Sequence, residues 1–140
     1  MKNPRCKNIL ALISGLLLAV FIAGCSSGPK ETVNVQAEIQ NLKSADADAR
    51  QKACVELAKA GPDAAPAVQS LIPVLKDSDS LVRRLAAYAL GQIGPKAKEA
   101  IPALKEAGND NDRDVVSAAI NAINAIDPSA AIKPPPNVSN

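Results

Sequence analysis

The 140-residue chain is 47% hydrophobic and 21% charged, and its 16 basic and 14 acidic side chains give a formal net charge of +2. It contains no His, no Trp and a single Tyr. The composition therefore lacks the usual general base and the commonest metal ligand, as well as the aromatic platforms and strongly basic surface that hold nucleic acids. No Ser-His-Asp, Cys-His or phosphate-loop spacing occurs. We expect no catalytic site, no metal, no cofactor and no nucleic-acid partner.

The first 24 residues have the pattern of a removable export signal. Three basic residues occur within the first seven positions, and an apolar run interrupted only by Ser14 and Gly15 extends from Ile9 to Ile22. This run is shorter than the roughly 20 apolar residues that a membrane-spanning helix needs. It is typical of the apolar part of a signal peptide. We predict that residues 1–24 are a signal peptide.

The predicted signal ends in Ile22-Ala23-Gly24-Cys25. This string resembles the lipobox of bacterial lipoproteins, in which the cysteine is acylated on sulfur and becomes the first residue of the mature protein. The resemblance implies lipidation of Cys25 and a membrane anchor, since two or three acyl chains hold a protein firmly where one holds it marginally. An uncleaved N-terminal anchor and a soluble secreted protein cut nearby are the alternatives.

Residues 25–32 are predicted to form a polar tether between the lipid and the domain. Ser26 follows the cysteine, whereas an aspartate at this place favours retention in the inner membrane in Gram-negative lipoproteins. The resemblance therefore implies a position in the cell envelope, at the outer membrane and facing the periplasm if the organism is Gram-negative. Without its signal the chain would carry 13 basic and 14 acidic residues, which is close to neutral.

Much of the chain matches itself when it is shifted by 33 residues. The Gly-Pro dipeptide at 61–62 recurs at 94–95, and Asp-Pro follows at 127–128. A fixed period of this size indicates a stacked array of helical units rather than a globule with one core. We predict a repeat domain over 33–127 and a proline-rich tail over 128–140 that is extended or disordered.

Six helices are predicted in chain order. They lie near 33–43, 47–60, 64–76, 80–93, 97–107 and 113–126. Asp46, Asp79 and Asp112 each precede an Ala-rich helix, where a short side-chain oxygen accepts hydrogen bonds from the free N–H groups of the first turn. Gly61 and Gly94 stand where a helix ends in a left-handed residue, and the proline after each prevents continuation.

The C-terminal unit departs from the repeat at two positions. Gly108 replaces an apolar residue that is Leu42 and Leu75 in the earlier units, and Val116 replaces an arginine. Glycine is a poor helix former, so we expect the helix before Gly108 to end early. Terminal units of arrays are commonly atypical because one of their faces meets water.

The fullest copy of the repeat reads Asp79-x-x-Val82-Arg83-x-x-Ala86-x-x-Ala89-Leu90-Gly91-x-Ile93-Gly94-Pro95. This pattern closely resembles the short HEAT-like repeats first described in phycobilisome lyases. The resemblance implies an all-α fold, an α-α superhelix of about six helices in three hairpins. It also implies scaffolding and partner binding as the usual roles. The signatures of ankyrin and tetratricopeptide repeats, which have similar periods, are absent.

Arginine recurs at Arg50 and Arg83, one repeat apart. In HEAT-like repeats the equivalent arginine typically pairs with acidic residues of the turns between helices. The resemblance therefore implies structural pairing, here with Asp46, Asp77 or Asp79. A ligand-facing role for the two arginines is the alternative.

Two features that often mark chemistry have simpler interpretations here. Asp110, Asp112 and Asp114 alternate as in a calcium loop, but the glycine and the bidentate glutamate of that loop are missing, so helix capping is the better interpretation. Cys54 aligns with Ala87 one repeat later. We interpret it as a small packing residue, with a reactive thiol as the alternative, and no intrachain disulfide is available to the mature chain.

Four positions are candidates for partner binding. Arg84 has no charged counterpart in the other repeats, and Tyr88 lies off the predicted apolar face. An exposed tyrosine beside an arginine is a common interface anchor, whereas a half-buried surface tyrosine is the simpler alternative. In solenoids of this kind the second helices usually line the concave side, which adds Gln69 and Lys76.

Three functional hypotheses follow. The first is a membrane-anchored lipoprotein that acts as a protein–protein interaction scaffold in the cell envelope and docks another envelope protein. The second is a lyase-like enzyme or enzyme subunit related to phycobilin lyases, which the lack of His opposes. The third is a structural spacer without a specific partner.

Overall fold

A computed structural model describes residues 33–130 of the chain. The predicted signal peptide, the lipobox-like string with Cys25, the predicted tether up to residue 32 and residues 131–140 of the predicted tail lie outside this range. The predictions made for those segments therefore stay predictions, and the account of the fold concerns the repeat domain.

The described part of the chain is all-α, as predicted. Its α-helices are α1 (Val35–Asn41), α2 (Ala47–Ala60), α3 (Val68–Val74), α4 (Ser80–Ile93), α5 (Ile101–Ala107) and α6 (Arg113–Ile126). Three 3₁₀ segments follow the longer helices, and they span Gly61–Ala67, Gly94–Ala100 and Pro128–Ala130. No strand occurs between residues 33 and 130. The last 3₁₀ segment shows that the chain is still regular at Ala130, beyond the predicted start of the tail.

The three long helices, α2, α4 and α6, have the predicted bounds. Each begins after an aspartate with extended backbone, namely Asp46, Asp79 or Asp112. The side-chain oxygens of these aspartates accept hydrogen bonds of 2.8–3.2 Å from backbone N–H groups two or three residues further on. These bonds satisfy donors that the first helical turn leaves free, which confirms the predicted caps.

The predicted second helices at 64–76 and 97–107 are each divided in two. A 3₁₀ segment comes first, and a seven-residue α-helix follows it. The reason lies in the spacing of the small buried residues Gly61, Ala64 and Ala67. They recur every three residues, which is the period of a 3₁₀ helix rather than of an α-helix. The prediction of one continuous helix in each place was therefore wrong.

The two turns between the long helices and the 3₁₀ segments depend on glycine. Gly61 and Gly94 have φ values of +56° and +69°, in the region that side chains with a Cβ rarely adopt. The positive φ values agree with the prediction, but the ψ values of −130° and −142° differ from those of a left-handed helical cap. The proline that follows each glycine has no N–H to continue the α-helix, so the chain turns into the second layer.

The expectation that the helix before Gly108 ends early was wrong. α5 ends at Ala107, which is equivalent to Val74 at the end of α3. Gly108 adopts helical backbone angles and its N–H donates to Leu104 O at 2.9 Å, so the missing side chain does not shorten the helix. What the third unit lacks is the side chain of Leu75, which is 3% exposed in the second unit.

The helices form two layers around a continuous core. The helices α2, α4 and α6 pack side by side, and each long 3₁₀ segment packs against two of them in succession. Ala53, Ala86 and Ala119, at equivalent positions, are fully buried and let the long helices approach closely. The largest core side chains include Leu57, Leu71, Leu90, Leu104 and Ile123. None of the helices within 33–130 has the length and hydropathy to cross a membrane.

Candidate interaction surface

Two arginines join the loops of successive repeats. The guanidinium of Arg50 donates two hydrogen bonds to the Asp77 carboxylate, at 2.7 and 2.9 Å. Arg83 repeats the arrangement with Asp110, at 2.8 and 2.9 Å. All four side chains are at most 17% exposed. Such two-point charged contacts fix geometry as well as adding energy, so they form a ladder between repeats.

Each arginine also holds the loop of its own repeat. Arg50 donates to the carbonyl oxygens of Ser44 and Ala45, at 2.8 and 3.1 Å. Arg83 donates to those of Asp77 and Ser78, at 2.8 and 3.3 Å. One guanidinium therefore bonds to two loops at once. This confirms pairing with a turn aspartate, and both guanidinium groups are occupied by bonds within the chain.

The ladder shifts the pKa values of its acidic members. Burial opposes ionisation of Asp77, but hydrogen bonds from Arg50 and from the Asp79 N–H outweigh it and lower the pKa. The pKa of Asp110 is lowered mainly by its hydrogen bond from Arg83, against a smaller effect of burial. Both carboxylates are thus stabilised in the ionised form.

The ladder residues are replaced in the first and third units, at the two positions that do not face the junctions between repeats. Ser44 occupies the loop position of Asp77 and Asp110, and its hydroxyl accepts from the Asp46 N–H at 3.2 Å. Val116 occupies the helix position of Arg83. A carboxylate without its arginine, or an arginine without its carboxylate, would be a partly buried charge without compensation. The replacements avoid this cost.

The alternating aspartates of the third loop are structural. Asp110 binds Arg83, Asp112 caps α6, and Asp114 pairs with Arg84 at 3.0 Å. Within residues 33–130, no group of three His, Cys, Asp or Glu side chains is arranged to hold a metal ion. Helix capping therefore accounts for Asp112, whereas Asp110 and Asp114 accept hydrogen bonds from Arg83 and Arg84.

Cys54 is fully buried on α2 and is not in a disulfide. Burial is the main cause that raises the pKa of its thiol to about 12. A thiolate is the reactive form of cysteine, and very little of it exists at neutral pH with such a pKa. The packing interpretation explains this residue, and the position offers no reactive thiol.

The structure does not bring the four candidate partner-binding residues together. Gln69 lies in a groove beside α1 and α3, and Lys76 lies in another beside the end of α5. Arg84 and Tyr88 line a third groove between α4 and α6. Three of the four bond to an acidic residue 30 positions further on. The pairs are Gln69–Glu99 at 2.6 Å, Lys76–Glu106 at 2.8 Å and Arg84–Asp114 at 3.0 Å.

Tyr88 is the exposed large hydrophobic side chain of the described residues, at 53% exposure. It stands over a groove of about 520 Å³ between α4 and α6. The floor is apolar and made largely of small residues: Leu85, Gly91, Ala118, Ala122 and Ala125. The rim is polar, with Gln92, Ser117 and Asn121 beside the Arg84–Asp114 pair. We call this feature the Tyr88 groove.

The floor depends on a close approach that the sequence analysis missed. A Cβ atom built on Gly91 would lie 3.1 Å from Ala122 Cα and 3.3 Å from its Cβ. The equivalent residue of the first repeat is Ala58. The change from alanine to glycine between repeats was the available signal. The reason for this change is evident only from the packing of α6 against α4.

The profile of the family described as HEAT repeats matches residues 35–132. A search of curated proteins finds no match. The matched range contains all six described helices, both rungs of the arginine ladder and the Tyr88 groove. The family resemblance and the geometry therefore concern the same part of the chain.

Proposed function

The chain belongs to the HEAT-repeat family, and we propose that it is a membrane-anchored lipoprotein that serves as a protein–protein interaction scaffold in the cell envelope. HEAT repeats in general serve as interaction scaffolds, and the family is typically non-enzymatic. Stacked repeats expose extended surfaces to partners. The anchor, the location and the kind of partner are the parts of the proposal that go beyond the family.

The observation that carries the docking proposal is the exposure of Tyr88 beside Arg84 over an apolar groove. Tyrosine and arginine are enriched among the residues that dominate binding energy at interfaces. The Arg84–Asp114 pair is exposed, with side chains at 42% and 71% exposure, so a partner can compete for it at little cost. We propose that another envelope protein docks there.

The anchor rests on the lipobox-like string that ends in Cys25 and on the basic and apolar segments before it. Lipid at this cysteine would leave the repeat domain free to present its surface. The lyase-like alternative lacks support in the described residues, because Cys54 is buried and its pKa is raised to about 12.

The anchor is tested by metabolic labelling with a fatty-acid probe. We expect the full chain to be labelled and to sediment with membranes, and Cys25→Ser to lose both properties. Cys54→Ala is the matched control, and it should be labelled like the natural chain. Label that survives Cys25→Ser, or its absence from the natural chain, would contradict the lipoprotein proposal.

Docking is tested by placing a photo-crosslinking amino acid at position 88 in cells. Position 55, which is Val55 at the equivalent site of the first repeat, is the matched control. We expect a discrete crosslinked product from position 88 and not from position 55. Identical products from both positions would refute a specific surface, and no product from either would favour a spacer.

A further inference from the structure

The near end of the Tyr88 groove lies where the chain leaves α6. The groove extends from Arg84 and Asp114, in the first turns of α4 and α6, to Gln92 and Ala125, in their last turns. After the 3₁₀ segment that ends at Ala130, the sequence continues as Ala-Ile-Lys-Pro-Pro-Pro-Asn-Val-Ser-Asn. These ten residues lie outside the described range.

We propose that segment 131–140 of the same chain binds in the Tyr88 groove when no partner occupies it. The segment carries three consecutive prolines, which favour the polyproline II conformation. Peptides in this conformation dock in grooves lined by aromatic side chains, because their backbone is already ordered and little entropy is lost on binding. Tyr88 supplies the aromatic ring, and the small floor residues leave room for proline rings.

The polar rim suits the backbone of such a peptide. Polyproline II has no internal hydrogen bonds, so its carbonyl oxygens need donors. The side-chain amides of Gln92 and Asn121 line the groove and are exposed. Amide N–H groups donate to carbonyl oxygens. The groove therefore offers an apolar floor to the rings and donors to the backbone.

The sequence departs from the repeat pattern just before the prolines. The third 3₁₀ segment begins at Pro128, one repeat position later than the segments that begin at Gly61 and Gly94, but Ala130 is equivalent to Ala64 and Ala97. Three residues later the earlier units have Ala67 and Ala100, both fully buried, and this chain has Lys133. A lysine is almost never fully buried without a partner. The buried alanine of the earlier second-layer segments is therefore replaced by lysine here, which supports the proposed departure from their path.

The segment is long enough to reach the groove. Crossing the end of α6, which is about 10 Å wide, uses three or four residues at about 3.1 Å each. In the proposed arrangement, Pro134 would lie at the mouth of the groove beside Gln92 and Ala125. From Asp114 to Ala125 the groove spans eleven steps of α6, or about 17 Å at 1.5 Å per step. The remaining six or seven residues of the segment cover about 20 Å.

The segment would occupy the same groove as the proposed partner, but its binding does not depend on a partner. If both are correct, an incoming partner displaces the segment. The partner would then pay for that displacement, which lowers its apparent affinity. Failure of the crosslinking experiment would leave segment binding untouched, and failure of segment binding would leave the docking proposal untouched.

The test uses the fluorescence of Tyr88, which is unambiguous because the chain has one Tyr and no Trp. Acrylamide quenching is compared between the full chain in detergent and a chain that ends at residue 130. We expect a higher quenching constant for the shortened chain. Full-length chain with Pro134, Pro135 and Pro136 replaced by serine should behave like the shortened one, which separates loss of binding from loss of folding.

A synthetic peptide of residues 131–140, added to the shortened chain, should restore the low quenching constant, and a scrambled peptide should not. Equal quenching of the full and shortened chains would overturn the proposal. Protection that appears only at high protein concentration would also overturn it, because the groove would then take the segment of a second copy. Helix content by circular dichroism must be the same in every variant compared.

Discussion

The two junctions between successive repeats share one set of contacts and differ in another. At the loops, Arg50 binds Asp77 at the first junction and Arg83 binds Asp110 at the second, with bond lengths that agree within 0.1 Å. At the long helices, the first junction has Ala58 where the second has Gly91. The loop contacts are thus the same at both junctions, while the contact between the long helices differs.

The outer surface differs between the two junctions, as the contact between the long helices does, whereas the ladder is the same at both. The residues just after the ladder arginines are Gln51 at the first junction and Arg84 at the second, and one turn further they are Val55 and Tyr88. The groove with an exposed aromatic ring forms at the second junction. The ladder therefore sets the spacing of the repeats. The adjacent helix positions can then differ between repeats and form a distinct surface.

The largest expected effect comes from removing a rung. Arg83→Met keeps the aliphatic stem but leaves the Asp110 carboxylate without its two charged donors, and we expect a loss of about 3 kcal/mol in the free energy of unfolding. Arg84→Met, at the next residue, breaks an exposed pair and should cost under about 1 kcal/mol. Urea unfolding measures both. Similar losses for the two variants would show that the Arg83–Asp110 contact stabilises the fold no more than the exposed Arg84–Asp114 pair does.

The helix contact is tested by Gly91→Ala. Alanine is the better helix former by about 1 kcal/mol, so an open site would be stabilised. Because the new Cβ would lie 3.1 Å from Ala122 Cα, we expect destabilisation of about 1–2 kcal/mol instead. Ala58→Gly is the matched variant at the first junction, and it should lose about 1 kcal/mol from helix propensity. A more stable Gly91→Ala protein would rule out the close approach.

A smaller difference between the junctions concerns Cys54 and Ala87, which are equivalent and both fully buried. Cys54→Ala should cost about 1 kcal/mol, since little volume is lost. Cys54→Ser should cost more, about 1–3 kcal/mol, because it buries a hydroxyl without a known partner.

With Cys6 and Cys25 replaced by serine, the Cys54 thiol should react with a disulfide reagent only after unfolding at pH 8, because burial raises its pKa to about 12. Rapid reaction of the native protein would show that the first junction opens at α2. The reagent's reaction with the urea-unfolded protein serves as the control for the thiol count.

The smallest expected change in stability near neutral pH comes from acidification. The pKa values of Asp77 and Asp110 lie below the ordinary value of 3.8 in the folded protein, so their contribution to stability is present above about pH 4. As the pH falls further, the unfolded state takes up protons first, and the contribution is lost as the pH passes through the lowered pKa values. Urea unfolding at several pH values should show this decline.

The variant Asp110→Asn should show a shallower decline below pH 4 than the natural chain, and Asp77→Asn should behave in the same way if the two rungs are equivalent. Asp63→Asn changes an exposed carboxylate on the first 3₁₀ segment and should leave the slope nearly unchanged. A slope that Asp63→Asn reduces as much as Asp110→Asn does would place the acid sensitivity outside the ladder.

Local chemistry was enough to determine the helical array from the sequence. The period of 33 gave the number of units, the three capping aspartates gave the starts of α2, α4 and α6, and Gly61 and Gly94 gave the ends of α2 and α4. These signals act through hydrogen bonds and backbone angles within a few residues. They do not depend on what packs against the helix.

The second layer was harder to determine from sequence, although the signal was present. The three-residue spacing of Gly61, Ala64 and Ala67 indicates a 3₁₀ segment only if these residues are known to be buried, and that follows from their position between α2 and α4. The same limit applied to the arginine ladder. The resemblance named Asp77, the partner of Arg50, among three candidates, but it did not name Asp110, which the structure shows to be the partner of Arg83.

The sequence by itself determined where the three long helices begin and end and which arginines and aspartates recur. Only the tertiary structure decided that Gly91 meets Ala122, and that Tyr88 and Arg84 share a groove from which Gln69 and Lys76 are excluded. The physical reason is range: caps and turns are satisfied within one helical turn, whereas a surface groove is defined by residues about 30 positions apart, whose distance is set by packing.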